Sequence, residues 1–374
     1  MSITKLLESL KIFYNIYRRI RYFKRMYPLS TVIKQIFLFP IDYYLAIFPI
    51  KSVANVTVAI THQCNIRCEM CYFHEELKTR HILPLETFQR FIDQVEKERP
   101  CVILSGGEPF THPNIVEMVE YAKGKGLPVQ IFTNGTLMRP GVMERLVELE
   151  LDYIDFTLLG DENSHDKVAC ASFAYGKFIE NLEKFAANRG KTEIILNYTI
   201  TPRALKDIAH GVELIKRLKL DGLRVQHYNY LLPNEFEDQE KVISELFNVS
   251  AGANEVSESG DLSTMADEII RFKDYLNREV PDLPVQWAPE LTPTEIKHWY
   301  SKEPFRSPRK CLFAWRGMLL DADSKLYPCS KIYLELGSLD NDDAFSIWNN
   351  PTMAKFRNRL KNRMFPACSR CCKL

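Results

Sequence analysis

Three cysteines, Cys64, Cys68 and Cys71, fall in the run Thr-His-Gln-Cys-Asn-Ile-Arg-Cys-Glu-Met-Cys-Tyr, just after a short apolar, strand-like segment. No fourth cysteine lies nearby. The Cys-x3-Cys-x2-Cys spacing puts three thiolates on one tight loop, where they can ligate three irons of a 4Fe–4S cluster. Such clusters are normally closed by four thiolates. A set of three leaves one iron for an exchangeable ligand that is not protein, so the chain must place this loop at the mouth of a cavity.

The chain has 374 residues, 46% hydrophobic and 26% charged, the balance of a globular protein with room for one large domain and an appendage. A net charge of +1 gives no overall pull toward nucleic acid. Ten cysteines, no visible signal-peptide cleavage site and clustered spacings favour metal ligation in a reducing compartment over disulfides.

From residue 53 the pattern alternates. Short apolar runs at 53–60, 101–105, 128–132, 153–158, 193–200 and 222–226 read as buried strands. Helical patterns at 84–98, 113–125, 139–149, 174–188 and 205–219 lie between them. Alternation of this kind means an α/β fold with a parallel sheet and right-handed crossovers. Six units suggest a partial (β/α)6, TIM-like barrel, whose chemistry sits at the carboxyl ends of the strands. The cysteine loop follows the first run. Gly106-Gly107-Glu108-Pro109 follows the second, and Thr133-Asn134-Gly135-Thr136 follows the third.

These three motifs, in this order, resemble the radical S-adenosylmethionine (radical SAM) enzymes. The resemblance covers about residues 53–230 and implies a SAM-binding 4Fe–4S cluster on Cys64, Cys68 and Cys71. It implies that Gly106, Gly107 and Glu108 hold the amino group of SAM; a carboxylate suits an ammonium. Asn134 belongs to the same site. Tyr72, following the last cysteine where the family usually has an aromatic before it, is the adenine candidate. Thr157 and Asn197 match polar positions on the fourth and fifth strands; either touches SAM or only satisfies polar groups in the barrel. His227 and Tyr228 leave the sixth strand and are expected to meet substrate. Cys101 and Cys170 read as inert, and none of His62, His74 and His81 as a metal ligand.

Cys311, Cys329, Cys368 and Cys371 form a second set, with Cys372 beside the last. A hairpin at 318–327 turns at Asp321-Ala-Asp-Ser324, and a helix-bearing excursion at 345–366 returns to Cys368. This resembles the SPASM extension in its version with one auxiliary 4Fe–4S cluster, although Ser324 stands where a Gly is usual. A four-cysteine zinc site has the same donor set, and Cys372 can replace Cys371.

The expected organisation is an N-terminal segment at 1–51, the barrel at 52–231, a connector at 232–305 and the auxiliary unit at 306–374. The first segment carries nine basic residues against two acidic ones. Ile3, Leu6, Leu7, Leu10, Phe13, Tyr14, Tyr17 and Ile20 make one helical apolar stripe. The run at 31–50 is apolar but broken by Pro40, Pro49, Lys34 and Asp42. That favours attachment to a membrane surface over a span, on the inner face of the cytoplasmic membrane; a helix packed on the domain or used in a dimer is the alternative. The expected activity is reductive cleavage of SAM to methionine and a 5′-deoxyadenosyl radical, which abstracts hydrogen from a substrate C–H. A one-electron donor such as flavodoxin or ferredoxin is the expected partner. The basic N-terminus points to a membrane lipid or isoprenoid substrate. The alternatives are radical modification of a peptide or protein side chain, and a non-catalytic zinc or iron–sulfur scaffold.

Overall fold

A computed structural model describes residues 53–250, 253, 256, 258, 262–307 and 311–373. The basic N-terminal segment lies outside the described residues. Seven strands alternate with helices: β1 Asn55–Thr61, β2 Cys101–Gly106, β3 Val129–Thr133, β4 Tyr153–Leu158, β5 Glu193–Thr199, β6 Gly222–Gln226 and β7 Val285–Ala288. They pair in parallel in sequence order. Gly317–Leu320 (β8) pairs in parallel with β1, and Lys325–Tyr327 (β9) and Gly337–Ser338 (β10) extend that edge antiparallel.

The expected α/β architecture with a parallel sheet is present, but the sheet crosses both of the boundaries drawn around the connector. β7 arises within 232–305 and β8 within 306–374. Each has only four residues, and β7 carries a polar Gln286. Runs so short give no readable period. Helices Glu162–Ala169, Pro233–Phe247 and Pro293–Trp299 are among those that escape the pattern.

Helices cover the outer face of the sheet. Val56, Val58 and Ile60 of β1 are fully buried, in one core with Phe88, Phe91, Ile92 and Val95 of helix Leu85–Val95. Burial of each such side chain contributes about 1.5–3 kcal/mol. The inner face is graded along the strands. Cys101, Tyr153 and Ile195 form a small apolar plug at the amino ends. Nearer the carboxyl ends Thr157, Asn197, Arg224 and Gln286 stand side by side in register on β4 to β7. The polar end faces the cysteine loop.

Candidate active site

The cysteine loop is held from two sides. On one side it meets the turn after β2. Gly107 N–H donates to Thr61 O at 2.7 Å, and Glu108 N–H donates to Gln63 O at 2.7 Å. A Cβ on Gly107 would lie 2.2 Å from Gln63 O, and one on Gly106 (φ +125°) 2.4 Å from Thr61 O. The glycines are thus required first by the approach of the two loops. On the other side Glu69 N–H donates to Val168 O at 2.9 Å, and Ile66 packs with Leu159, Val168 and Ala169 beside Cys64 and Cys68.

Cys64, Cys68 and Cys71 line one cavity of about 190 Å³. Tyr72, Gly106, Gly107, Glu108, Asn134, Thr157 and Tyr228 line the same space. Burial pushes the Cys64 thiol up to about 11, and raises Cys68 and Cys71 as well. Thiolates here need a positive partner, which iron supplies. No group of three metal-ligating side chains among the described residues stands close enough to hold a single ion. The fit to a cluster therefore rests on the donor set: three thiols on one loop, facing one cavity.

Glu108 is 1% exposed. Its Oε1 accepts from Phe110 N–H at 3.1 Å and Thr133 Oγ1 at 2.8 Å, and its Oε2 from Asn134 N–H at 2.7 Å. The carboxylate ties the β2 turn to the β3 turn. Burial nevertheless pushes its pKa up to about 7, so an ammonium in the cavity would favour the ionised form. The Asn134 amide reaches Cys64 Sγ at 3.8 Å and Asn65 Oδ1 at 3.1 Å.

Asn197 does not line the cavity. It lies beneath Thr157, donating to its Oγ1 at 3.4 Å, while its own Oδ1 is buried without a partner. His227 is a correction. It is fully buried against Trp287, Trp299 and Tyr300, with Nδ1 3.1 Å from Tyr300 OH, and burial pushes its pKa down to about 3. Strand alternation explains this: Gln226 and Tyr228 line the cavity, so residue 227 points the other way. Asn229 and His165 also line the cavity. Asn229 is buried with both amide atoms unpartnered. His165 accepts from Leu159 N–H at 3.3 Å through Nδ1 and is held neutral by burial, near pKa 4. Its helix begins Glu-Asn-Ser-His-Asp, which shows no apolar period.

In the second set Cys329 lies near Cys311, Cys311 and Cys329 lie near Cys368, and Cys371 lies near Cys311. Burial raises the pKa of Cys311 and Cys368, and the hydrogen bond with Cys372, with burial second, raises that of Cys371. Cys372 shares a hydrogen bond with Cys371, and Lys331 stands near both. Arg370 fixes this loop: Nη1 pairs with Glu235 at 2.9 Å, and Nε donates to Trp299 O at 2.6 Å. His62, at the base of the first loop, meets Asp321 of the hairpin at 2.8 Å.

A parallel α/β sheet with a three-cysteine loop and a glycine turn at adjoining strand ends defines a SAM-dependent iron–sulfur enzyme. Residues 58–212 match the radical SAM superfamily and residues 311–372 the SPASM iron–sulfur cluster-binding domain. The chain belongs to the radical SAM superfamily and carries a SPASM extension, so its cofactors are a SAM-binding 4Fe–4S cluster, an auxiliary iron–sulfur cluster and SAM. The zinc and scaffold alternatives fall with that match. The chain is 22% identical to a cofactor-modifying protein for a tungsten-containing aldehyde ferredoxin oxidoreductase of Pyrococcus furiosus, over 83% of this chain and 85% of that one. It is 22% identical to the subtilosin biosynthesis protein AlbA of Bacillus subtilis, over 84% of this chain and 63% of that one. Two further curated relatives match over roughly half of their own length. The solved structure of anSMEcpe with bound AdoMet and a peptide superposes with a TM-score of 0.57 at 15% identity, covering 85% of this chain and 86% of that one. No helix among the described residues is long and apolar enough to cross a membrane.

Proposed function

We propose that this enzyme functionalises an unactivated C–H bond of a peptide or protein side chain. The observation that carries the reading is similarity along most of the chain to a bacteriocin biosynthesis protein, joined by a fold shared with a peptide-bound enzyme. It replaces a lipid or isoprenoid as the leading substrate, because that expectation rests only on residues 1–50.

When bound, the cluster and SAM supply one-electron cleavage of a sulfur–carbon bond and a radical that takes hydrogen. The residues do the rest. Cys64, Cys68 and Cys71 would hold the SAM-binding cluster. Glu108 provides negative charge for the SAM ammonium and holds Asn134 over the loop. Ile66, Met70, Phe132 and Leu159 line the cavity and keep water from a reactive species. Tyr228 and Asn229 face the substrate side.

The test uses hydrogen transfer. Reconstituted enzyme, SAM and reductant are incubated with perdeuterated peptide, protein or lipid fractions from the source cells. Deuterium should enter 5′-deoxyadenosine from the peptide or protein fraction. Deuterium arriving from lipid alone would sink the reading.

A further inference from the structure

A second hollow, about 530 Å³, opens on the outside of the auxiliary unit. Helix Pro233–Phe247, residues 304–307 and the end of helix Pro351–Asn362 form its walls. Cys368 of the second cysteine set lines it. So do five cations: Lys241, Arg306, Arg359, Lys361 and Arg363. Three carboxylates share the wall, and one of them, Glu235, is paired with buried Arg370. Arg359 has a buried Nε without a partner and lies near both Arg363 and Cys368. Like charges gathered at a rim cost stability unless an anion meets them.

The loop of the first set offers no such rim. Its exposed charges are mixed in sign and held locally: Arg67 donates to Cys64 O at 2.7 Å, Glu69 pairs with Arg203 at 2.9 Å, and Glu75 pairs with Lys78 at 2.6 Å. The chemistry needs single electrons from outside, and electron transfer weakens steeply with distance. A thiol ligand lining a basic hollow is therefore a favourable point of entry.

We propose that this basic rim docks an acidic one-electron carrier protein, and that electrons enter at the second cysteine set rather than directly at Cys64, Cys68 and Cys71. The proposal rests on the iron–sulfur reading of Cys311, Cys329, Cys368 and Cys371. In the step the carrier's cofactor loses one electron and the iron on these thiolates gains it; no bond forms or breaks. Complementary charge speeds such encounters and is screened by salt.

The experiment uses the reconstituted full chain and photoreduced flavodoxin as the probe. Lys241→Glu, Arg306→Glu and Arg363→Glu are combined, because all three side chains are exposed. Flavodoxin binding and the rate of flavodoxin-driven reduction, followed by stopped-flow absorbance and EPR, should fall at least tenfold at low salt. The difference should shrink near about 0.5 M salt. Iron content and reduction by dithionite should not change. Reversing the exposed Lys167, Lys206 and Lys219 on the barrel's outer elements should have little effect. A second protein, with Cys64, Cys68 and Cys71 all changed to Ala, should still accept an electron from flavodoxin with the same charge sensitivity. Equal rates in the wild type and the charge-reversed protein would overturn the docking surface. Reduction of the triple-cysteine variant by dithionite but not by flavodoxin would overturn entry at the second set. A wild type that dithionite reduces and flavodoxin does not would also overturn it. Absence of iron from Cys311, Cys329, Cys368 and Cys371 after reconstitution would overturn it through the reading on which it rests.

Discussion

The ammonium of Lys331 lies 4.1 Å from the centre of the Tyr72 ring. Lys331 follows Cys329 by two residues and Tyr72 follows Cys71 by one, so the contact joins the loops of the two cysteine sets. Lys331 is 2% exposed and bears on the charge of Cys71, Cys371 and Cys372. A buried cation eases the addition of an electron nearby. Lys331→Met keeps the stem and removes the charge. For charges taken to be about 10 Å apart at an effective dielectric of about 20, the loss is roughly 1–2 kcal/mol, or about 40–90 mV for one electron. EPR-monitored titration should show both midpoint potentials shifted negative. Unmoved potentials would mean that the contact is packing alone.

Glu108 has a pKa pushed up to about 7 by burial, against an ordinary value of 4.5. Between these values the unfolded chain is ionised while the folded, SAM-free protein keeps its proton. Glu108 therefore makes stability fall as pH rises from about 4.5 to 7, and the loss is complete above that. SAM binding has the opposite sign, because the ammonium favours the carboxylate. Affinity should rise with pH through about 7. Glu108→Gln should abolish that dependence. It should also cost about 1–3 kcal/mol in urea unfolding, since its amide N–H2 would face Asn134 N–H. A pH dependence that survives the substitution would place the titrating group elsewhere.

Much of this site was legible in the sequence because its spacing is local. Cys64, Cys68 and Cys71 need one loop, and the Gly106-Gly107-Glu108 turn needs one strand end. What depends on distant segments was not legible. The reason for Gly107 is the carbonyl of Gln63, met only when β1 and β2 pair. The Lys331–Tyr72 contact exists only because β8 joins β1 and carries the hairpin to the cysteine loop. His227 was misread for a simpler reason: the end of β6 does not reveal which parity faces inward.

That parity gives a paired test. Asn229 is buried, unpartnered and in the cavity, whereas His227 is buried outside it in an aromatic cage. Asn229→Leu should leave stability within about 1 kcal/mol or improve it, because it removes unsatisfied polar atoms. It should lower SAM or substrate affinity severalfold. His227→Ala should do the reverse, costing about 2–4 kcal/mol through the cavity it leaves with SAM affinity unchanged. Equilibrium unfolding and calorimetric SAM binding would separate the two. A large stability loss at Asn229 would remove it from the binding surface.

Arg370 stands between two cysteines of the second set and pairs with Glu235, both side chains being almost wholly buried. Its remaining donors reach Trp299 O and Glu303 O, so one side chain clamps the cysteine loop to the connector. Arg370→Met would leave Glu235 buried and unpaired, at about 3–5 kcal/mol. Adding Glu235→Gln should recover part of that loss. Iron should be lost from the second set before the first as urea rises. A single variant within about 1 kcal/mol of the wild type would show that the clamp is redundant.

The basic, apolar segment at 1–50 bears on where the enzyme works. We propose that it attaches the enzyme to an anionic bilayer, where each lysine or arginine would contribute up to about 1 kcal/mol. Full-length protein should sediment with vesicles containing phosphatidylglycerol. Removing residues 1–50 should release it with iron content and uncoupled SAM cleavage intact. Salt should weaken the binding only in part, because apolar burial is not screened. Attachment would suit a peptide processed at the membrane as well as a lipid, so sedimentation alone does not choose the substrate. The deuterium experiment does. If full-length protein stays in the supernatant, the membrane attachment is wrong. The lipid substrate then loses its sequence support, while the proposed peptide substrate, which rests on similarity to a bacteriocin biosynthesis protein and to a peptide-bound structure, is unaffected.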